Sequence, residues 1–318
     1  MRSAVYLGLF LCLFILSGCS TSPYQKQVSD LSTALTNVQS SFESLSQTEQ
    51  QTFVATQTAL ALQKGNEILI PPACSEVRPS KKSANNCIPI IHVGSTNKNR
   101  SLVYKPAGPN ALKLATAVAE YGKGLVTLAQ AQDVTDLNAA VGKTEAAVTK
   151  LASDAKIPTQ QLGAIGTFVG WAFGEALNEL RVEQLRRIVN EADPVIAETS
   201  KLLSAEAAIL KNNIIVQKSV LVQQEQTLLF DMRAAASPNQ TAISASANTL
   251  ISDATALQTF ADTDVTQPFI AMRKAHAALL ASLNNPQISA DLVFAQVDSF
   301  LEQASNLKTG LENSAPKK

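Results

Sequence analysis

The stretch from Val28 to Leu45, VSDLSTALTNVQSSFESL, decides the fold. Its apolar residues follow one another at alternating spacings of three and four: Val28, Leu31, Leu35, Val38, Phe42 and Leu45. A seven-residue repeat of this kind places the side chains along one side of an α-helix, where a second helix can cover them. The stretch therefore predicts a long helix with a buried apolar seam.

Two later segments carry comparable stripes. One runs through Val134, Leu137, Val141, Val148 and Leu151, with Thr144 in the missing place, and the other through Leu203, Ala207, Leu210, Ile214, Leu221 and Leu228. We interpret all three as seams within one chain, with coiled coils between chains as the alternative. Helices of about 40 residues are about 60 Å long. The sequence thus predicts an all-α, elongated helical bundle with coiled-coil-like long helices.

Glycine and proline place the helix ends. No glycine occurs between Gly174 and Gly310, so that region has few tight turns. Its prolines are expected in first turns or connections, because an interior proline costs a helix about 3 kcal/mol. The breaks, taken at Pro158, Pro194, Pro238, Pro268 and Pro286, predict helices near 27–64, 110–155, 159–192, 195–236, 240–262, 267–283 and 287–312.

The amino terminus has the pattern of an export signal. Arg2 is the only charged residue before the uncharged stretch from Ala4 to Leu16. As a helix that stretch is roughly 20 Å long, whereas the hydrocarbon core of a bilayer is about 30 Å thick. We therefore interpret residues 1–18 as a signal peptide and not as a permanent membrane span.

The signal peptide ends in Leu16-Ser17-Gly18-Cys19, which resembles the lipobox of bacterial membrane lipoproteins. The resemblance implies cleavage before Cys19, a diacylglyceryl group on its sulfur and an acylated, for example palmitoylated, amino terminus. Ser20 in place of an aspartate favours the outer membrane, on its periplasmic face. Residues 19–26 would be a lipidated tether and 27–318 the helical bundle domain. An ordinary secretory signal with an incidental cysteine is the alternative.

Prolines interrupt the helical pattern between Gly65 and Pro109. Three apolar or β-branched stretches, Glu67–Ile70, Ile90–Val93 and Leu102–Lys105, predict a β-rich insertion at 66–108, with GSTNKNRS as the turn before the third strand. Cys74 and Cys87 lie in it, and in an exported protein a disulfide between them is the simplest interpretation. The alternative, a metal site completed by His92, is disfavoured in an oxidising compartment.

The charges of the chain balance, with 26 Lys and Arg against 26 Asp and Glu, which argues against a nucleic-acid partner. They are nevertheless segregated, because the region from Lys64 to Lys105 holds seven basic and two acidic residues. Loops on rigid supports often carry recognition. The candidate partner-binding residues are Arg78, Lys81, Lys82, Lys98 and Arg100, facing an anionic lipid, a cell-wall polymer or an acidic envelope protein. A solvated basic loop is the alternative.

The segment LGAIGTFVGWAFGEAL, at 162–177, has glycines at every fourth position: Gly166, Gly170 and Gly174. They share one helix face and favour close packing against a small-residue ridge at Ala111, Ala115 and Ala119. The rival interpretation is insertion into a membrane, as in helical pore-forming proteins, although the uncharged part is too short to cross a bilayer alone.

The sequence has no catalytic signature. His92 and His276 are the only histidines, and neither belongs to a metalloprotease, P-loop or nucleophile-elbow motif. We expect His276 on a helix flank, and Glu175, Glu179, Glu183, Arg186 and Arg187 on a solvated, salt-bridging face. No metal and no cofactor are expected.

These patterns predict a non-enzymatic binding, scaffold or adaptor lipoprotein of the cell envelope. The runner-up is a membrane-perturbing protein that uses 162–177. An envelope enzyme ranks last.

Overall fold

The protein is mostly helical. A computed structural model describes residues 24–69, 90–93, 98–101, 104, 109–157, 175–285, 287–288 and 290–314. The described helices are α1 (Gln25–Gln63), α2 (Pro109–Ala129), α3 (Val134–Asp154), α4 (Glu175–Ala234), α5 (Gln240–Asp262), α6 (Gln267–Asn284) and α7 (Ala290–Ser314). The described strands are β1 (Glu67–Leu69), β2 (Ile90–Val93) and β3 (Lys98–Ser101). The predicted helical class is confirmed.

The chain forms two compact units. Of the described residues, unit 1 comprises those within 24–39, 113–202 and 268–304, and unit 2 comprises those within 40–112, 203–267 and 305–314. The helices α1, α2, α4, α6 and α7 contribute residues to both units.

The seam of α1 is buried as the heptad pattern predicts. All six of its apolar residues, from Val28 to Leu45, are almost completely removed from solvent. In α3 the predicted stripe is also buried from Leu137 to Leu151, and Thr144 lies in the core with its hydroxyl donating to the Ala140 carbonyl. Both stripes therefore pack within the chain.

Close helix contacts in unit 1 occur at two glycines of α2. A Cβ atom on Gly122 would lie 2.9 Å from Leu35 Cδ1 of α1. A Cβ atom on Gly124 would lie 2.6 Å from Thr144 Oγ1 of α3. These distances are shorter than ordinary van der Waals contact. Glycine, which has no Cβ atom, therefore fits at both positions where a larger residue would clash.

The single helix predicted at 110–155 is wrong, because the structure has α2 and α3 there. Asp133 has extended backbone angles, and its carboxylate accepts a hydrogen bond of 2.8 Å from the Asp136 amide. An aspartate in this position satisfies one of the free N–H groups of a new helix. The sequence signal was present in Asp133 and was overlooked because the apolar stripe was followed instead.

The predicted helix break at Pro194 is also wrong, because α4 continues through this proline. Pro194 has no N–H to donate to the preceding turn. Ala192, Val195 and Ile196 on either side are buried, so packing offsets the local cost of the proline.

In unit 2 the seam of α4 is buried at Leu203, Ala207, Leu210 and Ile214. The prediction that the same seam continues to Leu228 is wrong, since that side chain is 55% exposed. The stripe leaves the core because a straight helix drifts by about 20° per heptad relative to a strict seven-residue repeat.

The helix α1 ends in unit 2 at a glycine turn. Gly65 has φ = 67°. Its N–H donates to the Leu62 carbonyl at 2.9 Å, and the N–H of Asn66 donates to the Ala61 carbonyl at 3.0 Å. This pair of bonds is a Schellman motif, which needs a left-handed residue and therefore favours glycine.

The insertion forms an antiparallel sheet in the order β1-β2-β3, with Ile68 opposite Ile91 and Val93 opposite Lys98. Ile68 and Ile91 pack with Ala61 in a small apolar cluster. The predicted turn is wrong over Lys98–Ser101, because β3 lies there. Of the third strand predicted at Leu102–Lys105, all residues but Tyr104 lie outside the described part of the chain. The polar sequence of β3 is typical of an edge strand, whose pairing depends on backbone hydrogen bonds.

Candidate functional site

Most of the residues predicted to carry function lie outside the described part of the chain. These are Cys19, Cys74, Cys87, Gly166, Gly170, Gly174, Arg78, Lys81 and Lys82. The small-residue ridge at Ala111, Ala115 and Ala119 is described and is buried. The lipidation, the disulfide and the glycine packing therefore stay predictions.

Two of the predicted basic residues are described, in β3. Lys98 is paired with Val93 and Arg100 with Ile91. The backbone register thus brings these two residues into one short strand, two positions apart. Arg78, Lys81 and Lys82 belong to the segment that connects β1 to β2 in the sequence.

We had expected His276 on a helix flank, but it lies in the core of unit 1. Its side chain is 2% exposed. Its Nε2 atom is 2.9 Å from the hydroxyl of Tyr121 in α2, and its Nδ1 atom is 3.0 Å from Oδ1 of Asp193 in α4. The imidazole therefore joins three helices of the unit through two hydrogen bonds.

The carboxylate of Asp193 determines how the protons are placed among Tyr121, His276 and Asp193. The hydrogen bond from His276 is the main cause that lowers the pKa of Asp193, so Asp193 is an anion and its Oδ1 accepts a hydrogen bond from Nδ1–H. With Nδ1–H directed at Asp193, Nε2 can accept a hydrogen bond from the Tyr121 hydroxyl. Burial raises the pKa of Tyr121 far above its ordinary value, which keeps this hydroxyl protonated.

Tyr121 and His276 are both buried, and the two hydrogen bonds of the imidazole satisfy their polar side-chain atoms in the core of unit 1. Sequence reasoning could not find the trio, because His276 is separated from Asp193 by 83 positions and from Tyr121 by 155.

The glutamates that we expected on a solvated face are exposed at Glu175, Glu179 and Glu183. The ion pairing differs from the expectation, because Arg187 bonds to Glu145 of α3 at 3.1 Å and Arg186 donates to the Leu283 carbonyl. The basic residues thus connect α4 to other helices of unit 1 and do not pair along their own face.

A groove of about 350 Å³ runs along α2 and α3 in unit 1. Gly124, Thr127 and Ala147 contribute to its lining, and the exposed residues Lys123, Lys143, Lys150 and Glu120 lie around it. Lys150 is paired with Glu120 at 2.8 Å. The groove is open and has no buried polar group directed into it that would select a ligand.

Three charged residues of α4 in unit 2, Lys211, Lys218 and Glu225, interact with α5. Lys211 donates to the carbonyls of Ala261 and Thr263, at 2.6 and 2.7 Å, where α5 ends. Lys218 lies 5.7 Å from the ring centroid of Phe260, and burial lowers its pKa. Glu225 shares a hydrogen bond with Asp253; burial, with a contribution from Asp253, raises the pKa of Glu225.

The opposite side of α4 presents a surface that we call the outer stripe. It consists of seven positions spaced by three and four: Ile209, Asn212, Val216, Ser219, Gln223, Gln226 and Phe230. The apolar members are well exposed, at 48% for Ile209, 64% for Val216 and 62% for Phe230. None of the seven is charged. The spacing of these residues is visible in the sequence. It does not tell whether the outer stripe or the line from Leu203 to Ile214 is covered by other helices.

The described ranges contain no metal-ligand group, since no three His, Cys, Asp or Glu side chains converge there. Among the helices that the structure describes, none is both long enough and apolar enough to cross a membrane.

No protein-family model, no curated protein and no solved structure matches the chain.

Proposed function

We propose that the protein is a lipid-anchored, non-enzymatic binding or scaffold component of a bacterial cell envelope. In this proposal Cys19 carries the lipid and holds the chain on the periplasmic face of the outer membrane. The anchor is supported by the placement of Leu16-Ser17-Gly18-Cys19 directly after an uncharged stretch too short to span a bilayer. Several acyl chains give a stable attachment, whereas one is marginal.

The binding role is carried by one observation, the outer stripe of α4. A face with three large apolar side chains and no charge is unusual on a helix surrounded by water. Exposed apolar patches on soluble domains commonly mark interaction sites. The one described histidine of the helical core is occupied by structural hydrogen bonds, so the surface and not a reacting centre is the better candidate for function.

The insertion adds a second contact to the proposal. Its basic residues, among them Lys98 and Arg100 of β3, would attract an anionic lipid, a cell-wall polymer or an acidic protein face. A disulfide between Cys74 and Cys87 would hold the connection between β1 and β2, and closing such a loop contributes roughly 3 kcal/mol in the unfolded-state entropy model.

The alternative, membrane perturbation through 162–177, depends on a segment of which only Glu175, Ala176 and Leu177 are described. Those three residues form the first described turn of α4, and one of them, Glu175, is charged. The described residues therefore do not favour this alternative over the scaffold role.

The anchor is tested by replacing Cys19 with alanine in cells labelled with radioactive palmitate. We expect the label to disappear and the precursor to stay uncleaved or become soluble, because the acylated sulfur is lost. Cys74→Ala is the matched control, and its labelling should equal that of the wild type. Palmitate label that persists in the Cys19 variant would refute the anchor.

A further inference from the structure

We infer that the outer stripe is a self-association face, occupied by the outer stripe of a second copy of this chain. The inference rests on the proposed function, because both copies must share one membrane. Ile209, Val216 and Phe230 are spaced by multiples of seven and are exposed on one side of α4. In a coiled coil the facing helix presents apolar residues at the same seven-residue spacing, and a second copy of this chain supplies them.

The absence of charge favours a copy over a different partner. Between Ile209 and Phe230 the only charged residues are Lys211, Lys218 and Glu225. All three face α5, through a hydrogen bond, a ring contact and a carboxyl pair. Two identical faces therefore meet without like charges opposing each other, whereas an uncharged face offers no charge complementarity that would select a basic or acidic partner.

The polar members of the stripe set the register and limit the strength. Asn212 lies between Ile209 and Val216, and Ser219, Gln223 and Gln226 lie between Val216 and Phe230. Ser219 already donates to the Ile215 carbonyl at 2.8 Å, so its hydroxyl does not need a partner from another helix. Polar side chains at seam positions specify alignment at a cost in stability. The pairing is therefore aligned and weak.

The area of the stripe agrees with weak pairing. A helix of 22 residues is about 33 Å long and about 10–12 Å wide, so two facing stripes cover roughly 700–800 Å² together. Stable complexes bury about 1,200–2,000 Å², and smaller interfaces are transient. Anchoring both copies in one membrane raises their effective concentration. Pairing is thus expected on the membrane and not in dilute solution.

The test uses the lipidated full chain in its membrane, with the photo-crosslinking residue benzoylphenylalanine at Val216 or at Leu228. The two positions lie on the same helix and are similarly exposed, at 64% and 55%, but only Val216 belongs to the outer stripe. Two differently tagged copies are produced together. We expect a covalent dimer that carries both tags from position 216 and none from position 228.

A second pair of variants asks whether the crosslink depends on an uncharged stripe. Val216→Glu places a charge in the seam, and we expect the dimer, read through benzoylphenylalanine at Gln223, to fall about tenfold, which corresponds to about 1.4 kcal/mol. Leu228→Glu should change it less than twofold. Both replaced side chains are exposed, so the variants should fold, and circular dichroism checks this.

The outcomes separate this inference from the anchor. A palmitate-labelled protein that gives no dimer from Val216, or only a crosslink to a different protein, overturns the inference and leaves the anchor intact. A dimer that Val216→Glu does not weaken also overturns it. If the full chain carries no palmitate label but still gives the dimer crosslinked from position 216 at high protein concentration, the inference is supported and the anchor is refuted.

Discussion

Replacing Gly124 with alanine tests how closely α2 approaches α3. The new Cβ atom would lie 2.6 Å from Thr144 Oγ1 and 3.0 Å from both Thr144 Cβ and Cγ2. Thr144 cannot move aside easily, because it is buried, β-branched and hydrogen-bonded to the Ala140 carbonyl at 2.7 Å. We therefore expect a packing cost of about 1–3 kcal/mol, the usual range for an overfilled core.

Part of this cost is offset by the better helix propensity of alanine, by about 1 kcal/mol. Gly142→Ala is the matched control, because it lies in α3 and a Cβ atom there meets nothing within 4 Å. The control should stabilise the protein by about 0.5–1 kcal/mol. The helix-propensity gain is common to both variants, so the difference between them isolates the packing cost at Gly124.

Urea unfolding followed by circular dichroism measures both variants. The contact with Thr144 is tested by adding Thr144→Ala, which removes the two side-chain atoms beyond Cβ. The double variant Gly124→Ala/Thr144→Ala should then be more stable than the sum of the single effects predicts. Equal unfolding free energies for Gly124→Ala and Gly142→Ala would refute the close approach of the two helices.

Two further predictions concern buried polar groups. Tyr121→Phe leaves His276 Nε2 unpaired and should lower the free energy of unfolding, measured in urea, by about 1–3 kcal/mol. The double variant Tyr121→Phe/His276→Leu should lose less than the sum of the two single variants. Strictly additive losses would contradict the hydrogen bond. Glu49 is 4% exposed, and one carboxylate oxygen accepts from Asn213 while the other has no partner. Burial, with Glu206 adding to it, raises the pKa of Glu49, so stability should fall as pH rises from the unfolded pKa through the folded one. Glu49→Gln should therefore stabilise the protein more at pH 7 than at pH 4, and an effect independent of pH would contradict a buried ionised carboxylate.

The long helices could be predicted because their apolar seams are local and periodic. The six seam residues from Val28 to Leu45 are buried, and the glycine at position 65 ends α1 close to the predicted boundary. Errors arose where a local rule competed with packing. Pro194 should end a helix by local energetics, yet buried neighbours on both sides carry α4 through it. Asp133 has the opposite effect, since one side-chain hydrogen bond begins a new helix within an apolar pattern.

The candidate site was harder to predict because it depends on which neighbours cover each face. His276 gave no signal of burial, since its partners Tyr121 and Asp193 come from distant helices. The basic insertion was found from composition alone, because charge segregation needs no tertiary information. The position of β3 was missed because polar residues such as Lys98 and Arg100 do not alternate with apolar ones.

On α4, three lines of residues with related spacing have three different environments. One line packs into the core at Leu203, Ala207, Leu210 and Ile214. A second carries every charge between Ile209 and Phe230 and is directed toward α5. The third, the outer stripe, is neutral and exposed. A surface helix ordinarily keeps its charges toward water, where hydration favours them. Here the solvent-facing side is the neutral one, an arrangement that favours association of this face with another surface over its exposure to water.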